Sequence, residues 1–179
     1  SAIDAIRESG LRQRNELGFS ASVSAKDAIS DLEIRGRDLE PCLDPCSRKG
    51  FSVPPYEGPT TVYQRWANNG VGISGMDSTR LARHSDIVIE RFRAILRECR
   101  KGVSVSDADR ARLGMLKHRT VPMAPNKPAP TVTTLPDDVL HYSEPRILSV
   151  RECARLQSFP DWFHFHGKYT TGGERRKMD

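Results

Sequence analysis

Two arginines, Arg151 and Arg155, are the residues whose type and spacing point most directly to chemistry. They lie four positions apart in a predicted helix, so their side chains share one face. A guanidinium carries five N–H donors in a planar fork that fits phosphate, carboxylate or carbonyl oxygens. The pair could therefore clamp a phosphate or organise a neighbouring loop rich in carbonyls. Ion pairing with Glu152 or Asp161 is the alternative that needs no ligand.

The four cysteines could serve as metal ligands or as a nucleophile. Cys42 and Cys46 are the one close pair, and no second pair or flanking histidine completes a zinc-binding set. Cys99 and Cys153 fall among apolar residues on helical patterns, where a thiol packs as a small hydrophobe. We expect no metal site, free thiols and a reducing, cytoplasmic, bacterial setting.

Composition limits the classes of protein and of partner. The net charge is only +5, yet most of the 28 basic residues are arginine, which suits phosphate and guanine edges. An ordinary surface composition would account for the same excess. Hydrophobic residues make up 37% of the 179 residues, enough for a modest core. No apolar run approaches the roughly 20 residues that a membrane-spanning helix needs.

Helix signals position the arginine pair. Ser149, followed by Glu152, has the spacing of a capping box, and it opens the helix that carries both arginines. The same kind of signal predicts three further helices: about 25–33 after Ser24, 85 to about 100 opened by Ser85, and one from Ser106 onward. On the long helix, Arg91, Arg93 and Arg97 lie off the apolar stripe, and we expect a solvated face there rather than a row that reads DNA.

Strand signals are weaker and concentrate near the arginine-bearing helix. Short runs rich in Val, Ile, Thr and Tyr predict strands at 131–135, 139–142 and 147–150, with further strands in the 60s. Residues 40–60 alternate proline and glycine and predict a loop or linker. The sequence thus predicts a small α+β domain of short, mostly antiparallel strands with three or four helices, and no complete doubly wound cofactor domain.

Residues 146–167, RILSVRECARLQSFPDWFHFHG, closely resemble the ninth sequence motif of the DNA cytosine-5 methyltransferases. Upstream, KPAPTVTT at 127–134 resembles the end of that family's target-recognition region, whose hallmark is a threonine followed by an aliphatic residue. SAKDAISDLE at 24–33 is similar to the segment that comes after the family's eighth motif. The middle, about 50–120, matches nothing specific, as the resemblance implies for a region that varies with the DNA sequence recognised.

Other motifs of that family do not occur in this chain. There is no Phe-x-Gly-x-Gly cofactor loop, no Glu-Asn-Val motif and no Gln-x-Arg-x-Arg motif. Pro41-Cys42 and Pro45-Cys46 match the dipeptide of the nucleophile loop, but neither follows a buried strand and neither precedes the expected Gln. A methylating thiolate also needs a structured electropositive pocket. We therefore expect no catalytic and no cofactor-binding residue here.

The resemblance implies a target-recognition fragment of a DNA cytosine-5 methyltransferase, inactive alone, whose parent uses S-adenosyl-methionine bound in a missing catalytic domain. The expected organisation is a lead-in at 1–39, a linker at 40–60, the recognition domain at 61–166 and a polar tail at 167–179. Duplex DNA and the catalytic domain are the expected partners, with self-association of the isolated fragment and no membrane contact. The parent could belong to a restriction-modification system.

The resemblance also suggests roles for individual residues. We expect Arg146 and Glu152 to organise the recognition region. DNA contacts are expected from these residues: Lys127, Thr131, Val132, Thr133, Arg151, Arg155 and, beside His118, Arg119. Base readers should lie within about 60–125, where Arg80, Arg83 and His84 are the first candidates. Two alternatives stay open: a stand-alone DNA-binding or regulatory module without catalysis, and a structural domain with no role on DNA.

Overall fold

The computed structural model describes residues 2–19, 22–117, 119–133, 138–167 and 169. Within these ranges the chain forms six α-helices, one 3-10 turn and two small sheets. The helices are α1 (Ala2–Glu16), α2 (Ala25–Ile29), α3 (Val62–Ala67), α4 (Asp86–Glu98), α5 (Asp107–Arg112) and α6 (Val150–Leu156), with the 3-10 turn at Ser30–Leu32 after α2. The strands are β1 (Glu40–Pro41), β2 (Ser52–Val53), β3 (Val121–Pro122) and β4 (Val139–Leu140). The predicted small α+β class is confirmed, although six helices are present among the described residues instead of three or four, and one of the two sheets is parallel.

Local capping signals set the starts of most of the predicted helices. Ser24 accepts a hydrogen bond from the amide of Asp27 and begins α2, and Ser149 does the same with Glu152 at the start of α6. Both capping boxes are complete. Ser106 caps α5 through its hydroxyl. Ser85 stands at the N-cap of α4, but its side chain makes no capping bond.

The 60s form a helix, so the prediction of strands there was wrong. Thr61 accepts from the amide of Gln64, and the Gln64 side chain returns the bond, which gives a third capping box. Tyr63 and Ala67 are one helical turn apart and both are buried. Packing of this apolar pair against the core outweighs the β propensity of the Thr-Thr-Val-Tyr run.

Sheet pairing differs in part from the prediction. β1 and β2 pair antiparallel inside the expected 40–60 loop, which is otherwise irregular. β3 and β4 pair in parallel, with Val121 opposite Val139, and Leu140 forms an antiparallel bridge to Ile147. Residues 131–133 form no strand, and 134–137, which held the rest of that predicted strand and most of its turn, lie outside the described residues.

The core consists of two hydrophobic clusters that meet around β4. One joins α2, α3 and the segment before α6 through Ile29, Tyr63, Met123 and Leu148. The other packs α4 against β4 through Ile95 and Leu140. Helix α2 packs against both α3 and α6, so these three helices surround the first cluster. No helix among the described residues is long and apolar enough to cross a membrane.

Candidate functional site

The segment 146–167, which contains α6, places three arginines inside the protein. Arg146 is 6% exposed, and Arg151 and Arg155 are 0% exposed. A buried guanidinium must have its donors satisfied by protein acceptors, since its desolvation is otherwise very costly. Each of the three meets this condition in a different way, and together they fix the segments around α6.

Arg146 binds two carboxylates. Its Nη1 and Nη2 each donate to Glu152 at 2.7 Å, and its Nε donates to Glu144 at 2.9 Å. Burial by itself would lower the pKa of Arg146, but the two carboxylates outweigh burial and raise it. For Glu152, burial raises the pKa of the carboxyl, but the charge and hydrogen bonds of Arg146, with the charge of His141 and the amide of Ser149, together outweigh burial and lower it. Arg146 also donates from Nη1 to the carbonyl of Ile147 at 3.2 Å.

Glu144 extends this network to the N-terminal part of the chain. Its Oε1 accepts the backbone amides of Ile34 and Arg35 at 2.8 and 2.9 Å. His141 lies alongside: its Nδ1 accepts the amide of Glu144 at 3.1 Å, and its Nε2 lies 3.8 Å from a Glu152 oxygen. Burial lowers the pKa of His141 to about 4, so the imidazole is neutral at pH 7.

Arg155 joins two aspartates that are far apart in the sequence. It donates to both oxygens of Asp161 at 2.7 and 2.6 Å and to Asp31 at 3.0 Å. Tyr56 donates its hydroxyl to Asp31 at 2.8 Å and also contacts the guanidinium. Both aspartates are buried, and the cluster ties α6 to the 3-10 turn and to the segment after α6.

Arg151 binds a loop rich in carbonyls. Its guanidinium donates to the carbonyls of Asp77, Pro160 and Phe163 at 3.0–3.3 Å and to the Asp77 carboxylate. This matches the loop-organising alternative for Arg151, while Arg155 follows the ion-pairing alternative. The expectation that either arginine contacts DNA phosphate directly is therefore corrected, because both side chains are fully buried and their donors face protein acceptors.

The predicted DNA-contacting threonines lie on an exposed segment with a fixed base. The backbone amide of Ala25 donates to the Lys127 carbonyl at 2.9 Å, and Lys26 donates to the Pro125 carbonyl at 3.0 Å. From this anchor on α2 the chain runs outward: the side chains of Lys127, Thr131 and Thr133 are exposed and Val132 is half-buried. Arg119 is exposed just before β3. His118 lies outside the described residues.

Sequence reasoning named Asp161 as a possible partner but missed three other carboxylates that bind the arginines. Asp31 lies 124 positions from Arg155, Asp77 lies 74 positions from Arg151, and Glu144 lies 2 positions from Arg146. For Glu144, the signal was its place two residues before Arg146. Asp31 is buried in the 3-10 turn. The one sequence signal for it was the resemblance of residues 24–33 to the segment that follows the family's eighth motif. Asp77 lies in a segment with no distinguishing pattern.

Comparison with known proteins bears on this arrangement. The family described as C-5 cytosine-specific DNA methylase matches residues 56–178. The type II methyltransferase M.DdeI of Desulfomicrobium norvegicum is 30% identical over 162 residues, which is 85% of this chain and 36% of that protein. The DNA (cytosine-5)-methyltransferase CMT2 of Arabidopsis thaliana is 50% identical over 42 residues, covering 21% of this chain and 3% of that protein.

A shorter match of higher identity is to the type II methyltransferase M.XorII of Xanthomonas oryzae pv. oryzae. It is 59% identical over 27 residues, or 15% of this chain and 6% of that protein. The chain thus spans about a third of the length of M.DdeI, and far less of the other two relatives.

Proposed function

The chain belongs to the C-5 cytosine-specific DNA methylase family, and from this premise we propose that it is the target-recognition part of a DNA cytosine-5 methyltransferase, which binds duplex DNA beside the target cytosine. In the parent protein, the cytosine leaves the base stack and is methylated in a separate catalytic domain. The methyl donor there is S-adenosyl-methionine. The described residues form sheets of two strands each, which do not fit that cofactor, and no methyl-transfer step is assigned to them.

The proposal rests on a contrast between two parts of the molecule. The ion-pair network around α6 is buried and holds one geometry, whereas residues 127–133, which are anchored beside it on α2, are largely exposed. Arg146, Arg155 and their carboxylates hold α6 to Asp31 in the 3-10 turn and to Asp161 after α6, with nearly every guanidinium donor used. Removing one partner of such a buried pair costs several kcal/mol, so the framework keeps one geometry. A recognition surface gains affinity when the framework fixes it before the partner arrives.

The exposed segment supplies the polar groups that phosphate and base contacts need. The hydroxyls of Thr131 and Thr133 can donate to phosphate oxygens, and the ammonium of Lys127 adds a positive charge. Val132 offers an apolar surface next to them. In this arrangement Arg146 and Glu152 are positioning residues, since they act on DNA only through the framework.

The test is fluorescence anisotropy of the chain with a labelled, cytosine-containing duplex over a series of salt concentrations. We expect log Kd to rise with log salt in proportion to the phosphates neutralised. Thr131→Val should weaken binding by roughly two- to tenfold, the value of one hydrogen bond, while Thr131→Ser should retain affinity. Lys127→Ala should lower the salt slope by about one, and the matched change Lys49→Ala, at an exposed lysine elsewhere, should not.

Two outcomes would count against the proposal. One is the absence of binding at 50 mM salt, both for this chain and for the full parent protein. The other is equal affinity of the Thr131→Val and Thr131→Ser variants combined with an unchanged slope for Lys127→Ala. Binding by this chain with no methyltransferase activity in the full parent would instead identify a stand-alone or regulatory DNA-binding module.

The aromatic surface after α6 is where we propose that the catalytic domain of the parent packs. The rings of Phe159, Phe163 and Phe165 contact one another in edge-to-face or tilted geometry, and Trp162 beside them is 60% exposed. Exposed apolar patches of this kind mark interaction sites, and the isolated chain should self-associate through it. Sedimentation velocity at rising concentration tests this: Trp162→Ser should reduce the associated fraction, and strictly monomeric behaviour of the unaltered chain would contradict it.

A further inference from the structure

Two adjoining grooves beside α4 carry basic side chains, and no carboxylate is among the residues that line them. The first has a volume of about 510 Å³ and is lined by Arg35, Arg93, Leu96, Arg97, Lys101, Ser143 and Pro145. The second, of about 310 Å³, has a mainly apolar lining that includes Ile34, Leu81 and Ile89; it shares Arg93 and Pro145 with the first and adds Arg83 and His84 at its edge. They form one continuous surface, which we call the basic tract and define by Arg35, Arg83, Arg93, Arg97 and Lys101.

Tertiary structure assembles the tract from residue 35 and residues 83–101, both packed beside residues 142–145. Glu144 accepts the amides of Ile34 and Arg35 and so fixes the backbone at Arg35 beside residues 143–145. Lys101 donates its ammonium to the Tyr142 carbonyl at 2.7 Å, which holds the end of α4 against the same segment. The buried network that supports α6 therefore also shapes this groove.

Charge in the tract is only partly neutralised within the protein. Arg93 and Arg97 pair with Glu90 and Glu98, and these surface pairs are worth about 0–1 kcal/mol and can exchange for phosphate oxygens. Among the described residues, no carboxylate lies within ion-pair distance of the Arg35 guanidinium. The groove near the start of α6 is different, because Asp44 and Asp77 line it.

We infer that the basic tract binds the phosphate backbone of the duplex that the proposed recognition segment reads, and this inference rests on the proposed function. Arg93 and Arg97 are one helical turn, or about 6 Å, apart along α4, and so can follow successive phosphates of one strand. Arginine forks fit phosphate oxygens, and the exposed pairs of Arg93 and Arg97 with Glu90 and Glu98 are weak enough to give way to them. Such contacts position the protein on DNA and do not read its sequence.

The experiment compares the triple variant Arg35→Ala/Arg83→Ala/Arg97→Ala with the unaltered chain in the anisotropy titration. Lys101 is left in place because its ammonium bonds to the backbone. We expect the triple variant to lower the salt slope by roughly 2.7, at about 0.9 per phosphate contact, and to raise Kd at 50 mM salt at least tenfold. The loss should be the same on specific and unrelated duplexes. Circular dichroism melting confirms that the variant is folded.

The control combines Arg7→Ala and Arg12→Ala, at exposed positions of α1, with Lys49→Ala. It therefore removes the same number of positive charges as the triple variant. This control should change the slope of log Kd against log salt by less than half of the change in the triple variant. If the chain binds DNA and Lys127→Ala weakens it, but the tract variant behaves like the control, the inference fails and the proposed function stands. If neither the chain nor the full parent binds DNA, the proposed function fails first.

Discussion

Replacing Arg155 by methionine tests the claim that the buried arginines of the 146–167 segment hold the fold together. The change keeps the length of the side chain but removes the charge, and it leaves Asp31 and Asp161, which are 2% and 0% exposed, buried without their partner. Removing one member of a buried ion pair costs about 3–5 kcal/mol. The matched change Arg93→Met breaks an exposed pair with Glu90 and should cost no more than about 1 kcal/mol.

Equilibrium unfolding in urea measures both costs. With a slope of about 2 kcal/mol per M, the midpoint of Arg155→Met should fall by roughly 1.5–2.5 M and that of Arg93→Met by less than about 0.5 M. Adding Asp31→Asn and Asp161→Asn to Arg155→Met removes the two stranded charges and should recover at least half of the loss.

Two results would refute the reasoning. If Arg155→Met lowers the midpoint no more than Arg93→Met does, the pair does not stabilise the fold as its burial requires. If Arg155→Met stays as stable as the unaltered chain and instead lowers the salt slope of DNA binding, the arginine contacts phosphate, as the sequence first suggested. Native DNA binding by the folded fraction of the variant agrees with an internal role.

Three further predictions concern single side chains. His141 has a folded pKa of about 4 against an unfolded value near 6.5, so its contribution to the free energy of unfolding is complete above pH 6.5 and falls by about 3 kcal/mol as pH falls towards 4. His141→Asn should therefore flatten the dependence of the unfolding free energy on pH between 6.5 and 4. An unchanged pH dependence in that variant would exclude His141 as its source. Ser149→Ala removes the cap of α6 and should cost about 1 kcal/mol, seen as a fall in Tm of roughly 2–4 °C by calorimetry, whereas a Tm within about 1 °C would mean that the cap contributes little. Burial raises the pKa of Cys153 to about 12, so at pH 8 iodoacetamide should modify it on the order of a thousandfold more slowly than the exposed Cys46, and comparable rates by mass spectrometry would contradict this.

The sequence predicted local features well because their causes lie within a few residues. The capping boxes at Ser24 and Ser149 each join residues three positions apart, and both formed as expected. The apolar stripe of α4 likewise predicted its length to within about two residues at each end. The family resemblance rested on contiguous motifs, and the match over residues 56–178 confirms the family.

Tertiary structure decided what the sequence could not, because those outcomes depend on partners far along the chain. Propensity favoured strands in the 60s, yet burial of Tyr63 and Ala67 gave a helix. β3 pairs in parallel with a strand that starts 18 positions later, which no local pattern specifies. Arg155 is of a type suited to phosphate, but Asp31, 124 positions away, meets it in the interior. The sequence by itself determined the capped helices and the family, and only long-range packing decided which arginines are buried and which face the solvent.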